Sequence, residues 1–146
     1  MREIKFRGKV ENTGKNDRDW VYGNLIQNED ASFIVEKVDY SFVGYCGECD
    51  KPFAEINRIN PDTIGQYTGL KDIKDNEIYE GDIIRINDDM YDVVGKVIFK
   101  NAAWEVEWKG DNYLREDIWY WVTQRDIEVI GNIYEDKELV EVKEWM

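Results

Sequence analysis

Ile83-Ile84-Arg85-Ile86 opens the stretch that decides the fold. Asn87-Asp88-Asp89 follows, then Tyr91-Asp92-Val93-Val94-Gly95-Lys96-Val97-Ile98-Phe99, and after Asn101-Ala102 comes Trp104-Glu105-Val106-Glu107-Trp108. The three runs are β-branched and aromatic, and the last alternates apolar with acidic residues at the period of two of a half-buried strand. The breaks between them carry Asn and Asp, whose side chains bond nearby backbone and favour turns. This pattern predicts an antiparallel meander.

Downstream, Gly110-Asp111-Asn112 reads as another turn, and Ile118-Trp119-Tyr120-Trp121-Val122 and Ile127-Glu128-Val129-Ile130-Gly131-Asn132-Ile133 read as two further strands. Short strands at this spacing predict a small closed or nearly closed antiparallel barrel. Gly95 and Gly131, inside strand patterns, are expected at bulges or sharp bends. Helix is expected only as a turn within Thr68–Asn76 and a short segment within Glu135–Val142.

Upstream, Ile4 and Phe6 alternate with Lys5 and Arg7. Trp20-Val21-Tyr22-Gly23-Asn24-Leu25-Ile26 and Ser32-Phe33-Ile34-Val35-Glu36 flank the turn residues Asn28-Glu29-Asp30, the signature of a hairpin. Tyr40–Asp50, with Gly44 and Gly47, reads as loop, and Pro52 and Asn60-Pro61 are breaks. The fold expected is mainly β with little helix: a smaller N-terminal β-rich subdomain over residues 1–58, and a small antiparallel barrel over 59–146.

The chain has 146 residues, 32 Asp+Glu against 19 Lys+Arg, no His, and a net charge of −13. Lack of His removes Ser-His and Cys-His catalysis and His-metal ligation. An aromatic content of 14% argues against a disordered acidic chain. Residues 1–20 hold 6 basic and 4 acidic groups, and the remaining residues 13 basic and 28 acidic, so a basic first strand precedes a strongly acidic body. No run has signal-peptide or membrane-spanning character, and a cytoplasmic location is expected.

Several segments are more particular than a generic β pattern. They are Arg2-Glu3-Ile4-Lys5-Phe6-Arg7, Asn60-Pro61-Asp62-Thr63-Ile64-Gly65-Gln66-Tyr67-Thr68-Gly69-Leu70-Lys71-Asp72, Glu77-Ile78-Tyr79-Glu80-Gly81-Asp82-Ile83-Ile84 and Glu128-Val129-Ile130-Gly131-Asn132-Ile133-Tyr134-Glu135. Together they resemble the YopX protein family of bacteriophages and prophages. Ile73-Lys74-Asp75-Asn76 stands where that family often has a Lys-Asn-Gly-type turn, and Asp75 or Asn76 is expected to take the left-handed conformation instead. The resemblance implies an SH3-like barrel in the C-terminal region. It implies no catalytic activity and transfers no functional residues.

Three groups of residues invite chemistry. Cys46-Gly47-Glu48-Cys49 has half the spacing of a zinc site, without a second pair, and reads first as two reduced loop cysteines, with an intersubunit metal or disulfide, or a redox pair, as alternatives. Glu77, Glu80 and Asp82 gather three carboxylates, but Gly81-Asp82 before an apolar strand reads as a turn whose Asp bonds backbone N–H groups. Trp104 and Trp108 share a strand face with Val106, and Trp119 and Trp121 share one face of the strand read there, opposite Ile118, Tyr120 and Val122. This aromatic surplus is expected to pack between domains or subunits, with a groove for a peptide or small ligand as the alternative. Acidic neighbours of the aromatics argue against direct nucleic-acid binding.

The expected function is that of a non-enzymatic phage or prophage accessory protein acting through protein–protein contacts, its partner being itself, as a homo-oligomer, or a host or phage protein. One alternative is an acidic mimic that occupies a host nucleic-acid-binding protein. Another is a small metal-dependent enzyme using Glu77, Glu80 and Asp82. Catalytic, cofactor-binding and metal-binding residues are expected to be none, with no cofactor and no membrane partner.

Overall fold

The computed structural model describes residues 2–11, 20–36, 55–110 and 114–141. The chain divides into two compact units, Glu3–Gln66 and the remainder from Tyr67 onward.

The first unit is an antiparallel sheet of β1 (Phe6–Lys9), β2 (Trp20–Gln27), β3 (Ser32–Val35), β4 (Ile56–Arg58) and the start of β5 (Gly65–Lys71), in the order β4-β3-β2-β1-β5. The hairpin read at residues 20–36 is present. Asn28 closes its turn by accepting the N–H groups of Asp30 and Ala31, each at 2.9 Å. One face of the sheet buries Val21 and Ile34, which pack with Ile59, Phe6 and Leu25. A 3₁₀ turn at Pro61–Thr63 is tied to β1: Asn60 caps it by accepting from the Asp62 N–H, and Thr63 Oγ1 accepts from the Lys9 N–H at 2.8 Å.

The second unit holds the rest of β5, β6 (Glu77–Tyr79), β7 (Asp82–Asn87), β8 (Asp92–Lys100), β9 (Ala103–Trp108), α1 (Ile118–Gln124) and β10 (Ile127–Asn132). The meander β7-β8-β9 is the one predicted, and β10 returns to pair with β7. Asn101 and Ala102 both have positive φ, 53° and 60°, as a two-residue hairpin turn requires. Asp75, at φ 67°, takes the left-handed position in the β5–β6 turn. Ile84, Ile86, Val97 and Val106 form the core with Trp108 and Trp121.

Residues 118–122 are not a strand. They open α1, capped by Asp117, which accepts from the Trp119 N–H at 3.0 Å. On a helix, positions 118, 121 and 122 share a face, so Ile118 and Trp121 are buried while Trp119 is 59% exposed. Aromatic and β-branched composition favours a strand, but tertiary packing decides for a seven-residue helix too short to be stable alone. At the C-terminal end, the expected helix is a single 3₁₀ turn, Lys137–Leu139.

Gly131 lies at a register shift in the β10–β7 ladder, as read. Gly95 does not mark a bulge: it pairs regularly with Ile84 and Trp108. A Cβ there would stand 2.6 Å from Val106 Cγ1 and 2.9 Å from Trp108 Cε3, so close approach of the core explains the glycine.

Among the described residues neither sheet closes into a barrel. In the second unit, pairing between β9 and β10 would be needed, and the chain instead runs through α1 between them. Each edge nevertheless makes a backbone bond to a neighbouring segment. Val106 N–H donates to the Glu116 carbonyl on the β9 side, and Ile73 N–H donates to the Ile127 carbonyl on the β10 side. No helix of the described residues is long and apolar enough to cross a membrane.

Candidate functional site

Of the acidic residues singled out in the sequence, Asp82 is spent on backbone and Glu77 on a tyrosine side chain. Asp82 is buried, and its Oδ2 accepts from the Tyr79 N–H at 2.7 Å, closing the β6–β7 turn as read. Gly81, at φ 90°, supplies the left-handed step in that turn and donates to the Val97 carbonyl. Glu77 Oε1 accepts from the Tyr79 hydroxyl at 3.3 Å. Among the described residues no group of three Cys, Asp or Glu is placed to hold a metal ion.

Asp72 is the most heavily used carboxylate. Its Oδ1 accepts from the N–H groups of Lys74 and Asn76, and its Oδ2 from the Asn76 side-chain amide and the Val129 N–H. Burial pushes the carboxyl up, but the bonds from Val129, Asn76 and Lys74 outweigh it and hold the pKa below the ordinary value. Asp88 does the same at the β7–β8 turn: the N–H groups of Met90 and Tyr91 lower its pKa, with a smaller contribution from Arg125. Beside Asp72, Lys74 is raised by its 2.7 Å bond to Glu128. Asp136 and Asn132 close the turn after β10 by accepting from the backbone N–H groups of Asn132, Tyr134 and Glu135.

The tryptophans divide by burial. Trp108 and Trp121 meet edge to face in the core of the second unit, ring centroids 5.2 Å apart, and both indole N–H groups donate to the carbonyl of Arg115. Trp104 packs against the same core and against Phe99, so the expected packing of this surplus between domains or subunits does not describe these three. Cys46 and Cys49 lie outside the described residues.

What the sequence reading passed over is the second face of the N-terminal sheet. β2 is apolar at both parities, so while Val21 and Leu25 turn to the core, Tyr22, Asn24 and Ile26 turn away. Ile26 stands opposite Phe33, and Val35 stands opposite Asn24 on one side and Ile56 on the other. Tyr22, Ile26 and Ile56 are 44%, 52% and 59% exposed. A one-sided antiparallel sheet normally turns polar side chains to water on this face. Here β2 and β3 contain no charged residue, and the one on β4, Arg58, is ion-paired to Glu11 at 2.9 Å.

The segments that resemble a family also meet in space within each unit. Asp72 and Gly81 bind Val129 and Ile133 of the C-terminal segment, while Asn60 and Thr63 bind Lys9 beside the N-terminal one. The family model described as YopX protein matches residues 5–141. This chain belongs to the YopX protein family. The crystal structure of protein EF1440 from Enterococcus faecalis is similar in fold to this YopX-family chain: the likeness covers 97% of this chain and 100% of that one, with a TM-score of 0.52 and 22% identity. No curated protein matches the chain. In the YopX-family chain, then, Asn60, Thr63, Asp72 and Asp82 help to determine the fold, and the sheet face of β2–β4 is one of the surfaces where large apolar side chains stay exposed.

Proposed function

We propose that this chain is a non-enzymatic accessory protein of a phage or prophage, working in the host cytoplasm through protein–protein contacts. The observation that carries the reading is the exposed apolar side chains of Tyr22, Ile26 and Ile56 on one sheet face. Contiguous apolar surface of this kind costs solubility and is retained where it binds. The reading is supported by the use of Asp72 and Asp82 as acceptors for backbone N–H groups, which gives those carboxylates a structural role at their turns. The second unit is, in this reading, an SH3-like barrel left open, with α1 in the gap between β9 and β10.

The test is affinity capture of the full chain from cells that express it, beside the Ile26→Lys/Ile56→Lys double variant, with bound proteins identified by mass spectrometry. The reading expects at least one protein, a second copy or another chain, to be retained by the wild type and lost by the variant. A chain that retains nothing and elutes as a monomer at every concentration contradicts it.

A further inference from the structure

We propose that Glu3-Ile4-Lys5 is a strap that zips onto the free edge of β2 and thereby gates the outward face of β2–β4. Closure of the strap stands on backbone geometry alone, while its effect on binding rests on the binding reading above.

Register selects the occupant of the edge. The β1–β2 ladder ends at Phe6 opposite Gly23, and from Asn24 onward β2 pairs with β3. Ser32 and Glu36 bond Ile59 and Glu55 on the β4 side, so the alternation of an antiparallel ladder turns Asn24 and Ile26 toward β3. Leu25 then turns its N–H and C=O the other way, where no described residue pairs with them. Continuing β1 backwards in its own register brings Ile4 opposite Leu25, Lys5 opposite Asn24 and Glu3 opposite Ile26.

The segment suits that place. Ile4 alternates with Glu3 and Lys5 at the period of a strand, yet it stands outside the ladder, 55% exposed. Closure lays Ile4 beside the half-buried Leu25, and the two residues exchange a pair of backbone hydrogen bonds. Segment and edge are already neighbours, because Glu3, Ile4 and Lys5 line one cavity of 440 Å³ with Tyr22, Gly23, Asn24 and Val35. Glu3 and Lys5 pair at 3.2 Å, as alternate residues on one side of an extended chain can. A strand end of three residues frays at little cost, so open and closed states are both populated.

The strap carries charge to an apolar face. Ladder parity places Lys5 and Glu3 on the outward side, beside Asn24 and Ile26, in line with Arg7 opposite Tyr22. Closed, the strap sets a carboxylate next to Ile26 and narrows the apolar surface. Open, as in this structure, it leaves Ile26 to be covered by a bound protein.

Amide hydrogen exchange of the full chain, read by NMR for the wild type, Ile4→Val and Ile4→Pro, tests the strap. Proline has no N–H to give the Leu25 carbonyl and prevents closure, and position 4 lies outside the ladder, so the variant folds. The Leu25 amide should exchange roughly 2- to 5-fold more slowly in the wild type and in Ile4→Val than in Ile4→Pro, while the Gly23 amide, held by Phe6, keeps its rate. Nuclear Overhauser contacts between the Ile4 and Leu25 methyls give a second readout that needs no variant. Equal Leu25 rates in all three chains, or the absence of those contacts, overturn the proposal. Gating is read separately: capture of the bound protein should rise about 2-fold in Ile4→Pro, as release of a half-closed strap gives. Unchanged capture while Leu25 responds overturns the gating. No capture by any chain while Leu25 responds overturns the binding reading, and strap closure stands.

Discussion

The backbone N–H of Val129 donates to Oδ2 of Asp72 at 2.9 Å, joining residues 57 apart in sequence. The same carboxylate organises its own turn through Lys74 and Asn76, so one side chain sets the β5–β6 turn and fastens it along β10. Lys74 to Glu128 and Ile73 to Ile127 reinforce the junction. The edge of β10 is thereby occupied, which protects it from pairing with another chain.

Asp72→Asn keeps the shape but replaces one acceptor oxygen with an amide that faces N–H donors. With at least one buried donor left unsatisfied, a loss of about 1–3 kcal/mol is expected. Chemical denaturation should show a lower midpoint at an unchanged m-value. A variant as stable as the wild type would remove Asp72 from this role.

The pH dependence follows from the same group. The folded pKa of Asp72 lies below its ordinary value, as does that of Asp88. Their contributions are complete above about pH 4–5, the upper end of ordinary Asp titration, and are lost as pH falls through the lower folded values. Thermal unfolding from pH 6 to pH 2 should show Tm dropping on the acid side, with a shallower drop in Asp72→Asn. Parallel acid limbs in the two proteins would contradict the assignment.

Gly95→Ala places a methyl against Val106 and Trp108 in a packed core. Overpacking of this kind costs ~1–3 kcal/mol, and near-ultraviolet circular dichroism should report the displaced indole. Gly69→Ala meets no atom within 4 Å, and its φ of 85° alone opposes it, so it should cost about 1–2 kcal/mol while leaving the near-ultraviolet spectrum unchanged.

Trp121→Phe removes an indole N–H from the Arg115 carbonyl and shrinks the ring that meets Trp108 edge to face. A loss of about 2–4 kcal/mol is expected from hydrogen bond and packing together. Trp119→Ala, on the exposed side of the same helix, should change stability by no more than ~0.5 kcal/mol. Urea melts of the two variants separate a helix from a strand here, since a strand would place both indoles on one face.

The meander was legible because its alternation and its Asn/Asp breaks are local signals: Trp104-Glu105-Val106-Glu107-Trp108 turns its apolar side inward as the period of two requires, with Val106 and Trp108 buried. The turn role of Asp82 was legible for the same reason. Residues 118–122 misled because their composition suits a strand, while the Asp117 cap and the burial of Ile118 and Trp121 depend on what α1 packs against. Barrel closure depends on a pairing between distant strands, which no local pattern specifies. The outward face of β2 did leave a signal, apolar residues at both parities, but burial on both faces and exposure on one look alike in sequence.

In the proposed function the outward face of β2–β4 is the central place of contact. Methyl-labelled isoleucine spectra recorded with and without the protein that the wild-type chain captures, a second copy or another chain, test this residue by residue. The Ile26 and Ile56 resonances should move on binding, while those of the buried Ile78, Ile84 and Ile86 stay fixed. Unmoved Ile26 and Ile56, with shifts confined to other isoleucines, would contradict it.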